Sequence, residues 1–467
     1  MTRVWDAGSW KTWIVLLAGL TSQAVSAAKA EEELPRYRLE PGMVLSYTGR
    51  TSIKANSDTF FEDQDTTAWV VRRNSDGSRR VVIRVGNRLR EAAGPGAGKA
   101  PTKGQQLPPM EYSLGYFDLS PDGRLGADAQ LGSDFDPAIA FPRLPDKPSA
   151  GEWGQRDART GQEYGYSSLR RGTDGWGFHA ERLGPLKRVY TIGFGSDYRF
   201  DRGMVVGAEQ HFSQEIGVKT KGTGKLELAG VETKNAAWVA AFAPAADRSI
   251  AALRAYRKAI QAAAKDAENG ASLLADARRK LQAARDATDE PVFREEFDRK
   301  LAGHDARAKA YMESAKRRAA VVGKPFPDWS LQGLDGETHS LADYRGRVVV
   351  LDFWFRGCGW CIKAMPEIDA VAEKFKGRPV AVLGMNTDAE EEDARFVAEV
   401  MGLKYPTLRA RGVPEKIDVK GFPAVILVGP DGVVRDIHYG YSPTMGAELT
   451  KAIEGLLPRG AKSTRKP

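Results

Sequence analysis

Cysteine is almost missing from this chain: 467 residues contain two. A four-cysteine zinc site is therefore excluded, and so is a fold stapled by several disulfides. Histidine is nearly as scarce. The five, His179, His211, His304, His339 and His438, are scattered through the sequence in no metal-ligand spacing. Uncharged apolar runs are short, and the one near the N-terminus falls below the length a membrane-spanning helix needs. Charge of one sign is not concentrated either. Lys and Arg total 69 against 61 Asp and Glu, a net charge of +8 that includes the basic tail at residues 461–467. Nucleic-acid binding requires a concentrated basic face, and no segment offers one with interleaved aromatics, so no nucleic-acid partner is expected.

The two cysteines that remain lie three apart, Cys358 and Cys361, in the run Asp352-Phe353-Trp354-Phe355-Arg356-Gly357-Cys358-Gly359-Trp360-Cys361. An apolar run, Val348 to Phe353, precedes them and reads as a buried strand; a helical pattern from Ile362 to Phe375 follows. A strand feeding a C-x-x-C at the start of a helix is the layout of a thiol–disulfide redox site. Unpaired N–H groups and the positive end of the helix dipole favour a thiolate at Cys358. Cys358 is thus the expected nucleophile and Cys361, one turn later, the resolving thiol. Asp352 stands six residues before Cys358 inside the apolar strand, where a carboxylate is costly without a task or a partner. Pairing with Lys363 or Lys374 would be a purely structural use. Arg356 either favours the thiolate or is solvated. No cofactor is implied beyond the cysteine pair.

The length suits about three domains. Residues 1–30 carry Arg3 and Lys11, an apolar core from Trp13 to Leu20 and small residues ending Ala27-Ala28-Lys29-Ala30, the pattern of a secretory signal peptide. A periplasmic or secreted location is expected, with an uncleaved N-terminal anchor as the alternative. Residues 31–245 alternate like strands. Examples are Met43 to Thr51, the hairpin Thr67–Arg73 and Arg80–Val85 around Asn74-Ser75-Asp76-Gly77, Tyr112 to Leu119, Gly177 to Leu183, Lys187 to Phe194, Gly203 to Ile216 and Gly224 to Val231. Gly94 to Lys99 reads as a loop, and Pro142, Pro145 and Pro148 mark an irregular stretch. An antiparallel β domain, barrel or sandwich, is expected. Residues 246–320 turn Ala-, Arg- and Lys-rich. They read as an α-helical spacer broken at Asn269-Gly270 and restarted at Pro291. The stripe Ile250, Leu253, Tyr256, Ile260 serves either packing within the chain or a dimer contact. Residues 321–460 alternate strand and helix, with further buried strands at Val380–Met385 and Val425–Val428, the pattern of an α/β fold.

Several motifs in order give residues 322–460 a resemblance to the extracytoplasmic thioredoxin-like proteins of the TlpA/ResA kind. They are the opening Gly323-Lys324-Pro325-Phe326-Pro327-Asp328-Trp329, then Leu334-Asp335-Gly336, the run Arg345 to Trp354, Pro366 five residues after Cys361, Gly421-Phe422-Pro423, and the insert from Asn386-Thr387-Asp388 to Tyr405-Pro406. The resemblance implies a C-terminal α/β thioredoxin-like fold and a cis peptide before Pro423 presenting the backbone of Phe422 to substrate. It also implies Asp352 as the base for the resolving thiol, a protein disulfide as substrate and a membrane thiol–disulfide electron donor. Trp354, Trp360 and Phe422, with Phe355, either line the docking groove or belong to the core. The chain departs from the pattern in the Gly359-Trp360 dipeptide, in Gly357 before Cys358 and in Ala424 after Pro423, positions that tune thiolate stability and substrate fit. Two other classes stay open: an envelope binding protein whose β domain carries the main role, and a copper-delivery protein with His438 as third ligand. A thiol peroxidase is disfavoured, because Phe355 and Leu351 stand where that chemistry wants threonine and proline.

Overall fold

The computed structural model describes residues 34–56, 58–91, 108–126, 128–131, 137–147, 151–156, 163–172, 174–216, 219–442 and 444–457. The expected signal peptide, the Gly94–Lys99 loop, Pro148 and the basic tail lie outside these. Ten antiparallel strands come first: β1 (Met43–Ala55), β2 (Asp58–Arg73), β3 (Arg79–Glu91), β4 (Glu111–Leu119), β5 (Glu152–Arg156), β6 (Glu163–Arg171), β7 (Gly175–Arg182), β8 (Tyr190–Arg199), β9 (Met204–Gln214) and β10 (Thr220–Thr233). They form one continuous sheet in the order β4-β3-β2-β1-β10-β9-β8-β7-β6-β5. Every sequential neighbour pairs except β4 with β5, and β1 pairs with β10. The sheet curls, because inward residues from both halves share one core: Leu45, Val70, Ile83 and Phe117 with Trp176, Phe178, Tyr198 and Val205. The expectation of a barrel or sandwich is met only as far as a large curled antiparallel sheet. The ladder does not close among the described residues, and there are not two separate sheets.

The connection between β4 and β5 stands in for the missing rung. Gln130 exchanges backbone hydrogen bonds with Tyr116 of β4. Farther on, Phe141 enters the core and meets the rings of Phe117 at 5.5 Å and Tyr37 at 5.9 Å. Where the chain enters and leaves the sheet, Lys234 N donates to Gly42 O at 2.9 Å. Gly42 has φ +93°, and a Cβ there would stand 2.8 Å from Lys234 O, so glycine is what lets the two segments pass so closely.

Four helices follow: α1 (Ala236–Ala263), α2 (Gly270–Asp286), α3 (Pro291–Ala302) and α4 (His304–Val321). The helical region starts at Ala236 rather than at 246. The Asn235 side chain caps it by accepting from Trp238 N at 2.9 Å, an effective N-cap, while Pro244 inside α1 masks the helical pattern in the sequence. The apolar stripe has an occupant within the chain. Ile250 and Tyr256 are buried, and Leu253 and Ile260 partly so, against Phe293, Phe297 and the outward residues Val71, Val82 and Tyr116 of β2 to β4. Of the two readings of that stripe, packing within the chain accounts for Ile250 and Tyr256, while Leu253 and Ile260 keep part of their surface in water.

The C-terminal part has a small hairpin, β11 (Ser330–Gln332) and β12 (Thr338–Ser340). The alternation β13 (Val348–Trp354), α5 (Gly359–Lys374), β14 (Val380–Asn386), α6 (Glu391–Met401), β15 (Thr407–Arg409), β16 (Ala424–Val428), β17 (Val434–Tyr439) and α7 (Met445–Leu456) comes next. Strand order is β15-β14-β13-β16-β17, with β13, β14 and β15 parallel and β16 antiparallel to both neighbours. This is a thioredoxin-like sheet. α5 and α7 cover one face through Ala364, Ile368, Leu449 and Ile453. The other face is covered by Phe326, Trp329, Tyr344 and Val413 from loops and short turns rather than by a long helix. Arg318 of α4 joins the two parts, pairing with Asp436 and donating to Ile437 O at 2.8 Å on β17. Among the described residues no helix is long and apolar enough to cross a membrane.

Candidate active site

All seven residues of β13 are buried, and the strand delivers the chain to the cysteines. Phe355 O accepts from Cys358 N at 3.0 Å, turning the backbone. Cys358 then caps α5, its sulfur accepting from Cys361 N at 3.1 Å. The two sulfurs are joined in a disulfide. Cys358 is 7% exposed and Cys361 1%. On reduction the N-terminal N–H groups of α5 remain aimed at Cys358, the arrangement that favours its thiolate.

Asp352 is 1% exposed. Strand periodicity puts it on the same face as Val350 and Trp354, under α5. Neither lysine considered as its partner reaches it: Lys374 pairs with Glu454 at 3.1 Å, and Lys363 lies over the Trp360 ring at 4.5 Å. Its partner is the phenol of Tyr405, which donates to Oδ2 at 3.0 Å; Oδ1 has no partner among the described residues. Burial pushes the carboxyl up to about 7, although the Tyr405 hydrogen bond pulls the other way. A group poised there exchanges a proton readily at neutral pH. No sequence signal singles out Tyr405. It lies 53 positions from Asp352, and only the fold joins them.

The peptide bond between Phe422 and Pro423 is cis. The Phe422 ring meets Phe355 edge-on at 5.4 Å, and both pack beside Cys358 and Cys361. Trp360 is 54% exposed and stacks on Tyr441 at 6.0 Å, so it is free to touch a partner. Trp354 corrects the expectation of a docking residue. It is fully buried, packed with Cys361, Ile362, Met365 and Val397, and it supports the cysteines from beneath. Gly384 on β14 makes room for it: a Cβ there would stand 3.0 Å from the indole Nε1 and 2.9 Å from Thr407 Oγ1. Arg356 is partly solvated and is held by the insert. It pairs with Asp393 at 2.5 Å and covers the Phe396 ring at 4.3 Å. His438 has its ring nitrogens 3.3 Å from Asp436 and 3.9 Å from Glu448, and so faces carboxylates rather than thiols. Among the described residues no cluster of three His, Cys, Asp or Glu is set to hold a metal ion.

Two elements flank the cysteines. The insert closes one side: Thr387 N donates to Trp354 O at 3.0 Å, Arg356 N donates to Asp388 at 2.9 Å, and Ala394 and Val397 of α6 pack on the site. The other side is closed by the β domain, a placement that no motif in the sequence announces. Val189 and Ile216 join the apolar cluster of Cys358, Cys361 and Ile362, and Arg188 reaches Val400 O at 3.4 Å.

Residues 321–453 match the Redoxin family model. Over 135 residues the chain is 32% identical to the thioredoxin-like protein YneN of Bacillus subtilis, covering 28% of this chain and 79% of that one. Over 146 residues it is 31% identical to the thiol-disulfide oxidoreductase ResA of Geobacillus kaustophilus, covering 31% of this chain and 82% of that one. Among solved structures, the thioredoxin domain of a thiol-disulfide oxidoreductase from Bacteroides vulgatus is 28% identical. The match covers 30% of this chain and 99% of that one, with a TM-score of 0.27.

Proposed function

Through its C-terminal region the chain belongs to the ResA-like thiol–disulfide oxidoreductases of the redoxin family, and on that premise we propose that it reduces disulfides of specific proteins outside the cytoplasm. The observation that carries the reading is a C-x-x-C capping α5 above a buried carboxyl poised near neutrality. In the reduced enzyme the Cys358 thiolate attacks a substrate disulfide, forming a mixed disulfide and expelling one substrate thiolate. Asp352 takes the proton of Cys361, whose thiolate then attacks the Cys358 sulfur. The Cys358–Cys361 bond forms and the second substrate thiolate leaves. Two electrons pass to the substrate, whose two sulfurs end as thiols, and the enzyme ends as the disulfide. A membrane thiol–disulfide donor returns the two electrons. No cofactor beyond the cysteine pair takes part. The backbone at Phe422 and Pro423 holds the substrate strand, with the exposed face of Trp360 beside it.

The test is the equilibrium potential of the pair in a glutathione series, with Cys358→Ser as control. A value near thioredoxin's roughly −270 mV supports a reductant. A value near roughly −120 mV, the range of a dedicated oxidant, overturns the direction proposed.

A further inference from the structure

The β domain and α5 enclose a cleft of about 280 Å³, with Tyr190, Gln214 and Ile216 on one wall and Gly359, Trp360 and Lys363 on the other. Its floor holds Arg182, only 5% exposed. The guanidinium lies over the Tyr190 ring at 4.4 Å, and its Nε is shielded, with no hydrogen-bond partner among the described residues. Among the described residues no carboxylate pairs with it. The adjacent Glu181 is taken by Lys187 at 2.8 Å and His179 at 3.3 Å. A second cation, Lys363, shares the cleft. Burial pushes its ammonium below the usual lysine range, and repulsion from Arg182 adds to this. Buried charges are normally paired, because desolvating one without a counter-charge is costly. Arg182 is buried without a counter-charge and shares the cleft with the ammonium of Lys363, an exposed residue, so an anion from outside would complete the pairing. The cleft begins at Gly359, next to Cys358, and the walls Val189 and Ile216 pack with that cysteine.

Resting on the oxidoreductase reading above, we propose that this cleft is a substrate subsite for an acidic side chain. The substrate is a polypeptide with Asp or Glu within a residue or two of the attacked cysteine, its carboxylate seated between Arg182 and Lys363. The β domain thus supplies half of the specificity of the redox site.

The experiment uses the full-length reduced protein and two synthetic cystine peptides identical except for Glu or Lys beside the cysteine. Uncharged hydroxyethyl disulfide serves as a reference. The glutamate peptide is expected to be reduced about tenfold faster than the lysine peptide at low salt, since charge complementarity acts mainly on encounter. The ratio is expected to shrink as salt is added. Arg182→Gln and Lys363→Gln each move it toward one; Lys363 is on the surface, so its variant reports even if the buried Arg182 variant fails to fold. A wild-type ratio near one while hydroxyethyl disulfide is reduced overturns the subsite alone. So does a preference that survives both substitutions undiminished. Failure to reduce hydroxyethyl disulfide removes the oxidoreductase reading and the subsite with it.

Discussion

Asp352→Asn isolates the cost of keeping a carboxyl under α5. The group titrates near 3.8 when solvated and at about 7 in the fold. Its folded pKa is raised, so the folded state binds the proton more tightly and stability falls as pH rises from the solvated value through the folded one. A displacement of roughly three pH units corresponds to ~4 kcal/mol of penalty above pH 8, at ~1.4 kcal/mol per unit. At pH 5, about one unit above the solvated value, the penalty is ~1.6 kcal/mol. The introduced amide can still accept from Tyr405 but brings an unpaired N–H, a cost of about 1–3 kcal/mol that does not vary with pH. The variant is therefore expected to gain stability relative to wild type by about 2–3 kcal/mol between pH 5 and 8.5, whatever its absolute stability. Urea titration followed by hydrogen exchange and mass spectrometry over β13 and β16 peptides reads the C-terminal domain apart from the β domain. A difference flat with pH within about 0.5 kcal/mol would refute the reasoning and mean that Asp352 is ionised in the fold.

Other outcomes are as specific. Cys361→Ser should accumulate a mixed disulfide on Cys358, visible as a mass adduct, while Cys358→Ser should form none; turnover by the Cys361 variant at the wild-type rate would reverse the assigned roles. Trp354→Ala should cost about 3–5 kcal/mol by leaving a cavity under the cysteines, and Gly384→Ala about 1–3 kcal/mol by crowding the same indole. Both are read from urea midpoints, and a neutral result for Trp354 would mean it is not core. Arg318→Ala should destabilise the C-terminal domain by about 1–3 kcal/mol. Burial works to raise the Asp436 carboxyl, but hydrogen bonds from His438 and Arg318 hold it well below the usual range. The stability it contributes is therefore present above the ordinary carboxylate value and lost as pH falls, so the cost of Arg318→Ala should shrink below about pH 4. A loss equal at pH 3 and pH 7 would contradict that assignment.

The cysteine pair was legible in the sequence because its placement depends on local order. A buried run, a turn and a helix start fall within a dozen positions, and no distant contact is needed to see them. What pairs across distance was not legible. Tyr405 meets Asp352 only because β14 brings the insert back beside β13. The curl of the β sheet depends on the β1–β10 pairing, which alternation within single strands does not encode. Trp354 shows a different limit: an aromatic beside a redox site serves a groove or a core equally well by type, and its position in the last register of β13 decides. The start of α1 was obscured by Pro244, which ordinarily argues against a helix interior. Nor does any sequence signal connect Arg182, Val189 or Ile216 to cysteines well over a hundred positions later.

The hydrogen bond between Lys234 and Gly42 bears on how such a chain is assembled. The incoming and outgoing segments of the β sheet lie side by side there, at the end of the β1–β10 pairing. A module with adjacent ends can be cut out or permuted without stretching its host. The β domain thus has adjoining ends, but exchanging it there would also strip Val189 and Ile216 from the cysteines, so the redox domain does not stand apart from it.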